Sequence, residues 1–541
     1  MTKGGTLFYN ARFYSMRKEG EFFDAILVED GKIKEVLKTS GSDNSESGNE
    51  FSPREGGSFP DLVMDSPGRL LSKKELSQIH AKRVDLGGSF VFPGFIDTHT
   101  HSFTGGLYKL GIDLSEARSL KEVLELLSGA DPVGGNILAW RFDESKIAEK
   151  RFPTREELDR IYPHTPVLVR RVDGHSCVVN TPALESIPID RKEVSGNRGI
   201  LTHRQNHKAI RWFHDSIDPV GIISAYRAAA QKGVERGLTT IHTMVGNGHG
   251  DPLHYTLLIS RIEEFPVEFI VYPQITDVRK AVELGSLRVG GCVLADGSLG
   301  SHTAALTEPY ADRLDTRGEL YHADSFWESF FRKAHDAGLQ SAVHAIGDAA
   351  IIQVLGILRR LQLERPADLR HQIIHNELVP HDWMLDWMAE AEISAVMQPA
   401  FDLLWGGDEG YYSKVLGRER ALKCNRLASL IKRGVLVTGG SDWYITPLDP
   451  LLGIEAAVKM HNPDERLSPY QAVELYTCKA SSLSFDEKRL GMVLPEYQAD
   501  LVCLEEDPLY SAKIDSIKVT MTVKKGNIVY RNSTEGNSTL R

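Results

Sequence analysis

Eight short apolar runs, most of them followed by a stretch with helical periodicity, constrain this chain more than any other feature. They are SFVFPGFIDTH, TTIHTM, EFIVYPQI, GCVLAD, QSAVHAI, HQIIHN, ISAVMQP and VLVTGGSD. Apolar runs of this length alternating with helices are the mark of parallel strands with crossover helices. Eight of them predict a closed (β/α)8 barrel with its working end at the strands' C-terminal edges. Helices are expected over SFWESFFRKAHDAG and SPYQAVELYTCKASSL, the latter starting at Ser468 with Pro469 in its first turn and Glu474 beyond.

The two ends of the chain read differently. LFYNARFY and AILVEDGKIKEVL form strands around a turn at Asp30 and Gly31, and IKVTMTVKKGNIVYRN forms a hairpin with Lys525, Gly526 and Asn527 in its turn. These ends are expected to pair into one small β-domain. The predicted organisation is residues 1–92 for its first part, 93–488 for the barrel and 489–541 for its second part. Within it, 39–68 is too polar and Gly/Ser-rich to order itself and reads as a mobile insertion. The stretch 102–237 is far longer than a barrel loop needs, so it is expected to build much of a substrate pocket.

Composition narrows the function. Of 541 residues, 41% are apolar and 25% charged, enough to bury a core, and the net charge of −11 comes without a basic stripe, which argues against nucleic acid. No run of eighteen apolar residues argues for a membrane span, and the N-terminal stretch lacks the pattern of a signal peptide, so a cytoplasmic protein is expected. Cys177, Cys292, Cys424, Cys478 and Cys503 are odd in number and widely spaced, as reduced thiols are.

The chemistry begins at Asp97-Thr98-His99-Thr100-His101. Alternation along a strand sends His99 and His101 to one side, where they could grip a metal ion. Such a pair alone is weak evidence and is more often two solvated imidazoles. Here, however, His344, His375 and Asp442 close later runs, and a barrel brings those ends to one mouth. Imidazole and carboxylate suit Zn²⁺, with Fe²⁺, Mn²⁺, Co²⁺ and Ni²⁺ as alternatives. Such an ion acidifies water and polarises a carbonyl, and Asp442 beside that water could take its proton and pass it to a leaving amine.

Long motifs in order, PGFIDTHTH, PVLVRRVDGHSCVVN, LADGSLGSHTAALTEPY, HAIGD, IIHNE, TGGSD and GMVLPEYQADLVCLEEDPL, resemble the amidohydrolase superfamily, and within it family 3, with the N-substituted formamide deformylase-like proteins. The resemblance implies an α/β fold, a TIM-like barrel with a β-sandwich made from both termini. It implies a divalent metal site, with zinc expected in one or two copies and His99, His101, His344, His375 and Asp442 as ligands. One departure stands out: where two-metal relatives often carry a carboxylated lysine, four residues before Asp296, this chain has Cys292. Either a Cys292 thiolate binds metal, or the site holds one ion and Cys292 fills space; in the latter case His344 or His375 could orient substrate or steady an oxyanion.

Asp173 and His175, in a family motif, together with Asp296 and His302 are candidate substrate-binding residues; an exposed loop histidine and a turn-capping aspartate are the plain alternatives. His242 reads as a core residue, His203 and His207 as a solvated face, and Trp140, Phe142, Trp405, Tyr411 and Tyr412 as either pocket or core. The expected activity is hydrolysis of a C–N bond, of amide or formamide type, in a small molecule, by water activated on the metal, with Asp442 and His375 catalytic. Deamination of an amino-substituted ring, or a regulatory protein that has lost catalysis, are the alternatives. A homodimer is compatible with the sequence.

Overall fold

Strands from both ends of the chain enter one eight-stranded sheet. The computed structural model describes residues 5–39, 68–172, 174, 176–189, 198–246 and 252–532. The insertion expected at 39–68 lies, over 40–67, outside the described residues, as do Asp173 and His175. The sheet runs in the order Asn527–Arg531, Val519–Lys524, Leu501–Leu504, Lys82–Pro93, Thr6–Tyr14, Phe22–Glu29, Lys32–Thr39, Arg69–Leu71. Its two tight hairpins use paired left-handed residues, Asp30 and Gly31 at φ 49° and 79°, and Lys525 and Gly526 at 49° and 75°. Two consecutive positive φ values make the turn whose twist matches that of the flanking strands. Asn527, expected in the second turn, instead opens the last strand. Phe8, Phe13, Phe23, Ile26, Val91, Leu501, Met521 and Val523 are buried together as the sheet's core.

SFVFPGFIDTH, read as one strand, is two. Lys82–Pro93 belongs to the terminal sheet, and the chain turns at Gly94 into Phe95–Thr100, the first of eight parallel strands. A side chain at Gly94 would sit 2.3 Å from Thr239, so only glycine allows the passage. The eight strands are β1 (Phe95–Thr100), β2 (Leu238–Val245), β3 (Glu268–Pro273), β4 (Arg288–Val289), β5 (Gln340–Ala345), β6 (Gln372–His375), β7 (Ser394–Met397) and β8 (Val437–Gly439). They pair in two arcs, β3-β2-β1 and β4-β5-β6-β7-β8. Backbone bonds span both seams: Gly290 N donates to Pro273 O (3.2 Å) between β3 and β4, and Asp442 N donates to His99 O (2.9 Å) just beyond β8 and β1. Met244, Ile270, Tyr272, Cys292, Ala342, Ile374 and Val396 form an apolar cluster on the strands' shared inner face.

The architecture is α/β. The helix Asp324–Asp336 buries Trp327, Phe330, Phe331 and Ala334 at helical spacing, and each large ring so buried contributes about 1.5–3 kcal/mol. Two elements depart from expectation. GCVLAD is not a strand: β4 is confined to Arg288–Val289, and Gly290 and Gly291 (φ 95° and 60°) turn the chain out of extended conformation before Cys292. The helix expected over 468–483 is broken into Pro469–Glu474 and Cys478–Leu483, and the first piece starts at Ser468 as expected, with a capping box closed by Gln471. Among the described residues no helix is long and apolar enough to cross a membrane.

His101–Gln231 with Leu257–Arg261 form a second unit. Its five-stranded sheet runs in the order Ile200–Thr202, Ser176–Val179, Val167–Arg171, Ile137–Phe142, Ile112–Asp113. Leu127, Phe142, Val167, Val169 and Val178 are among the buried residues of its core.

Candidate metal centre

Every residue of β1 is buried, and its end carries His99 into the interior. The ligand atoms of His99, Cys292 and His375 lie within 4.8 Å of one another. His99 Nε2 is also 3.2 Å from Asp442 Oδ1. Four elements far apart in sequence thus meet: the end of β1, the turn after β4, the end of β6 and the turn after β8. Zn²⁺ bonds of 2.0–2.3 Å in tetrahedral geometry hold ligand atoms about 3.3–3.8 Å apart. The imidazole, thiol and carboxylate donors therefore fit such an ion with small adjustments.

Backbone strain and hydrogen bonding hold these side chains. His375 and Asp442 are left-handed at φ 70° and 52°, as is Asn376 at 45°, and non-glycine residues keep such conformations only where their surroundings enforce them. His375 Nδ1 is 2.7 Å from Gln398 Oε1; donation to that oxygen fixes the tautomer and leaves Nε2 for a ligand role. Gln274 Nε2 donates to Cys292 O (2.8 Å). Asp97 accepts from His99 N (3.1 Å) and from Ser441 N (3.0 Å), tying the His99 and Asp442 segments together. Neither Gln398 nor Gln274 carries a local signal in the sequence. Asp97 stood in the motif, but its role depends on a partner far along the chain.

Charge is distributed unevenly. Burial would lower His99, yet hydrogen bonds to Asp442 and Cys292 raise it above the usual imidazole range. Burial likewise opposes protonation of His344, but Cys292 and Asp296 push it up to about 9. His375 is lowered by burial and by the charge of His344. Burial pushes Asp97 up to about 6 against its amide partners, and Glu377 up to about 7.

His344 Nδ1 is 3.8 Å from Cys292 Sγ, while its Nε2 faces Gly297 O at 3.1 Å. His344 is therefore a neighbour of the thiol. His101 stands at the N-cap position of the helix Ser102–Leu110, at the start of the second unit, without a side-chain capping hydrogen bond. Asp296, expected at the mouth, is buried and accepts from the amides of Ala305, Ile346 and Gly347, which makes it an anchor for two loops. His302 pairs with Asp312, its Nε2 3.0 Å from both oxygens. Of the aromatic candidates, Phe142 packs in the second unit's core, Trp140 stacks on Tyr108, and Tyr412 is buried in a cluster with Phe401. Phe401 itself stacks on His375, with centroids 5.9 Å apart and planes 12° from parallel, and Trp405 lies 4.6 Å from it.

Residues 82–530 match the family described as the amidohydrolase family. YtcJ of Bacillus subtilis, grouped by name with the amidohydrolases, is 28% identical over 571 aligned positions, covering 97% of this chain and 99% of its own. The N-substituted formamide deformylase of Arthrobacter pascens is 22% identical over 491, covering 83% and 90%. The crystal structure of an uncharacterized metal-dependent hydrolase from Pyrococcus furiosus superposes with a TM-score of 0.76 at 24% identity, over 93% of this chain and 100% of that one, a likeness of fold.

Proposed function

The chain belongs to the amidohydrolase family, and from that premise we propose that it is a metal-dependent hydrolase cleaving a C–N bond of amide or formamide type in a small molecule. The observation that carries the reading is the meeting of His99, Cys292 and His375 ligand atoms within 4.8 Å, with Asp442 3.2 Å from His99. The seam hydrogen bonds support reading the two arcs as halves of a closed (β/α)8 barrel, and the shared terminal sheet supports a β-sandwich from both ends.

His99, His375, Cys292 and Asp442 would hold a divalent ion, with zinc favoured by sulfur among the donors. When bound, such an ion supplies Lewis acidity, bringing water's pKa near neutrality and polarising the scissile carbonyl. Gln398 keeps His375 in the ligating tautomer, and Asp97 keeps the His99 and Asp442 segments in register. Asp442 accepts the proton from attacking water and delivers it to the nitrogen as the C–O bond forms and the C–N bond breaks. Phe401, parallel to His375, makes one wall of the centre apolar.

The test is a substrate screen on chelator-stripped protein reloaded with Zn²⁺, Mn²⁺ or Co²⁺. Metal-dependent release of a carboxylic acid and an amine from N-acyl or N-formyl compounds, sharply reduced in Asp442→Asn, is expected. Release of ammonia from ring amines alone would replace this reading with deamination. A protein that retains no metal and turns over none of these compounds would overturn it.

A further inference from the structure

Three connections at the centre hold a large apolar side chain out to solvent. Leu294, two residues beyond Cys292, is 40% exposed; Leu404, on the helix Pro399–Trp405, is 50% exposed; and Ile445, three residues beyond Asp442, is 48% exposed. Scattered singly, such residues are ordinary on a protein surface, but these follow β4, β7 and β8 at the same ends of the parallel strands.

Measured contacts tie each of them to the centre. His344 N donates to Val293 O (3.0 Å) and Ala295 N donates to His344 O (2.9 Å), so Leu294 stands directly opposite His344 in a parallel bridge. His344 in turn lies 3.8 Å from Cys292 Sγ. Ile445 N donates to Asp442 O (2.7 Å), closing the turn that holds both residues. Phe401, Leu404 and Trp405 stand at i, i+3 and i+4 of one helix and so share a face. On that face Phe401 stacks on His375 with centroids 5.9 Å apart, and the half-buried Trp405 lies 4.6 Å from Phe401. Apolar surface thus runs outward from a ligand ring to an exposed leucine.

Charge narrows the occupant further. Asp296 Oδ1 is 3.7 Å from His344 Nε2, Glu377 is buried two residues beyond His375, and Asp402 is buried next to Phe401 in the chain. A carboxylate on the substrate would meet these acids as well as Asp442, and like charges shielded from water repel strongly.

We propose that the substrate is a neutral amide bearing a bulky apolar group, held by Leu294, Leu404, Trp405 and Ile445, and that N-acyl amino acids are disfavoured. The amide follows from the hydrolase reading above; the apolar group and the lack of charge follow from these side chains. Binding such a group covers apolar surface now facing water, a gain that a small polar amide does not supply.

Binding and turnover are read separately on the zinc-loaded full chain. N-(4-nitrophenethyl)methanesulfonamide, which resists hydrolysis, should quench tryptophan fluorescence saturably, and most of the quenching should vanish in Trp405→Phe. Its analogue with an α-carboxylate should bind at least about 10-fold more weakly. The parent sulfonamide should likewise lose about 10-fold in affinity for Leu404→Asn and Ile445→Asn, both at exposed positions that folding tolerates. Equal affinity for the two sulfonamides, no quenching, or quenching unchanged in Trp405→Phe would each overturn the proposal. Turnover is followed with the N-formyl and N-acetyl amides of phenethylamine and of ethanolamine. Binding as expected without release of amine from any of them would refute hydrolysis and uphold the apolar site. Release at equal kcat/KM from the phenethylamine and ethanolamine amides would refute the apolar site and uphold hydrolysis.

Discussion

Replacing Gly440 with alanine should damage the candidate centre without changing the identity of any of its ligands. A Cβ at that position would lie 2.7 Å from His99 N, 3.0 Å from His99 Cβ and 3.2 Å from Asp97 Oδ1. Nonbonded heavy atoms prefer about 3.5–4.0 Å, so the two segments must part by roughly 0.8 Å. Gly440 cannot simply retreat, because its N–H donates to Met397 O (2.9 Å) on the neighbouring strand. Overpacking of this kind destabilises by about 1–3 kcal/mol. The parting acts on the bonds that align the site: Asp442 N to His99 O at 2.9 Å and Ser441 N to Asp97 at 3.0 Å. Disturbing such supports typically weakens metal binding about 10–100-fold. Urea denaturation and calorimetric titration of Zn²⁺ into chelator-stripped protein measure the two effects. Gly129→Ala is the control, since its Cβ would meet nothing within 4 Å and should leave both within error. Wild-type stability together with wild-type zinc affinity in Gly440→Ala would refute the reasoning.

Other expectations follow from the same geometry. Gln398→Leu removes the acceptor of His375 Nδ1–H, so metal affinity should fall about 10–100-fold while Gln398→Glu restores much of it, as read by metal titration. Asp442→Asn should lower kcat by about 10²–10⁴ with the fold intact by circular dichroism, which a steady-state assay on any cleaved amide would show. In cobalt-loaded protein, a thiolate-to-metal charge-transfer band should be present in the wild type and absent in Cys292→Ser. Burial and the neighbouring His335 lower His371 from 6.5 to about 3. Because the folded state then binds fewer protons than the unfolded one, stability is complete above pH 6.5. It falls as pH drops toward 3, by on the order of 5 kcal/mol in total. His371→Asn, whose Oδ1 can still accept from Ser341, should flatten that acid limb in urea titrations.

Periodicity and strand-end chemistry made much of this legible. Seven of the apolar runs contain a parallel strand within a residue or two, because a short apolar run beside a helix has few other uses in an α/β protein. GCVLAD misled because it is as apolar as a strand, yet Cys292 packs inward from a turn while Leu294 is exposed, and the φ values at Gly290 and Gly291 are what break the strand. The break at Gly94 was hidden because its cause is Thr239, nearly 150 residues away. Within the centre, His99, His375 and Asp442 could be picked out as metal-binding residue types at strand ends, and Cys292 only through the family resemblance, as the residue standing where relatives carry a lysine. Gln398 and Asp97 could not, since what they do is fixed by partners that only the folded chain supplies. Asp296 illustrates the reverse: a carboxylate in a prominent motif whose oxygens accept backbone amides.

The most direct test of the central claim is anomalous scattering from crystals of the zinc-loaded protein. A peak is predicted about 2.0–2.3 Å from a nitrogen of His99, a nitrogen of His375 and the Cys292 sulfur. A zinc peak elsewhere, with those three side chains turned away from one another, would contradict it.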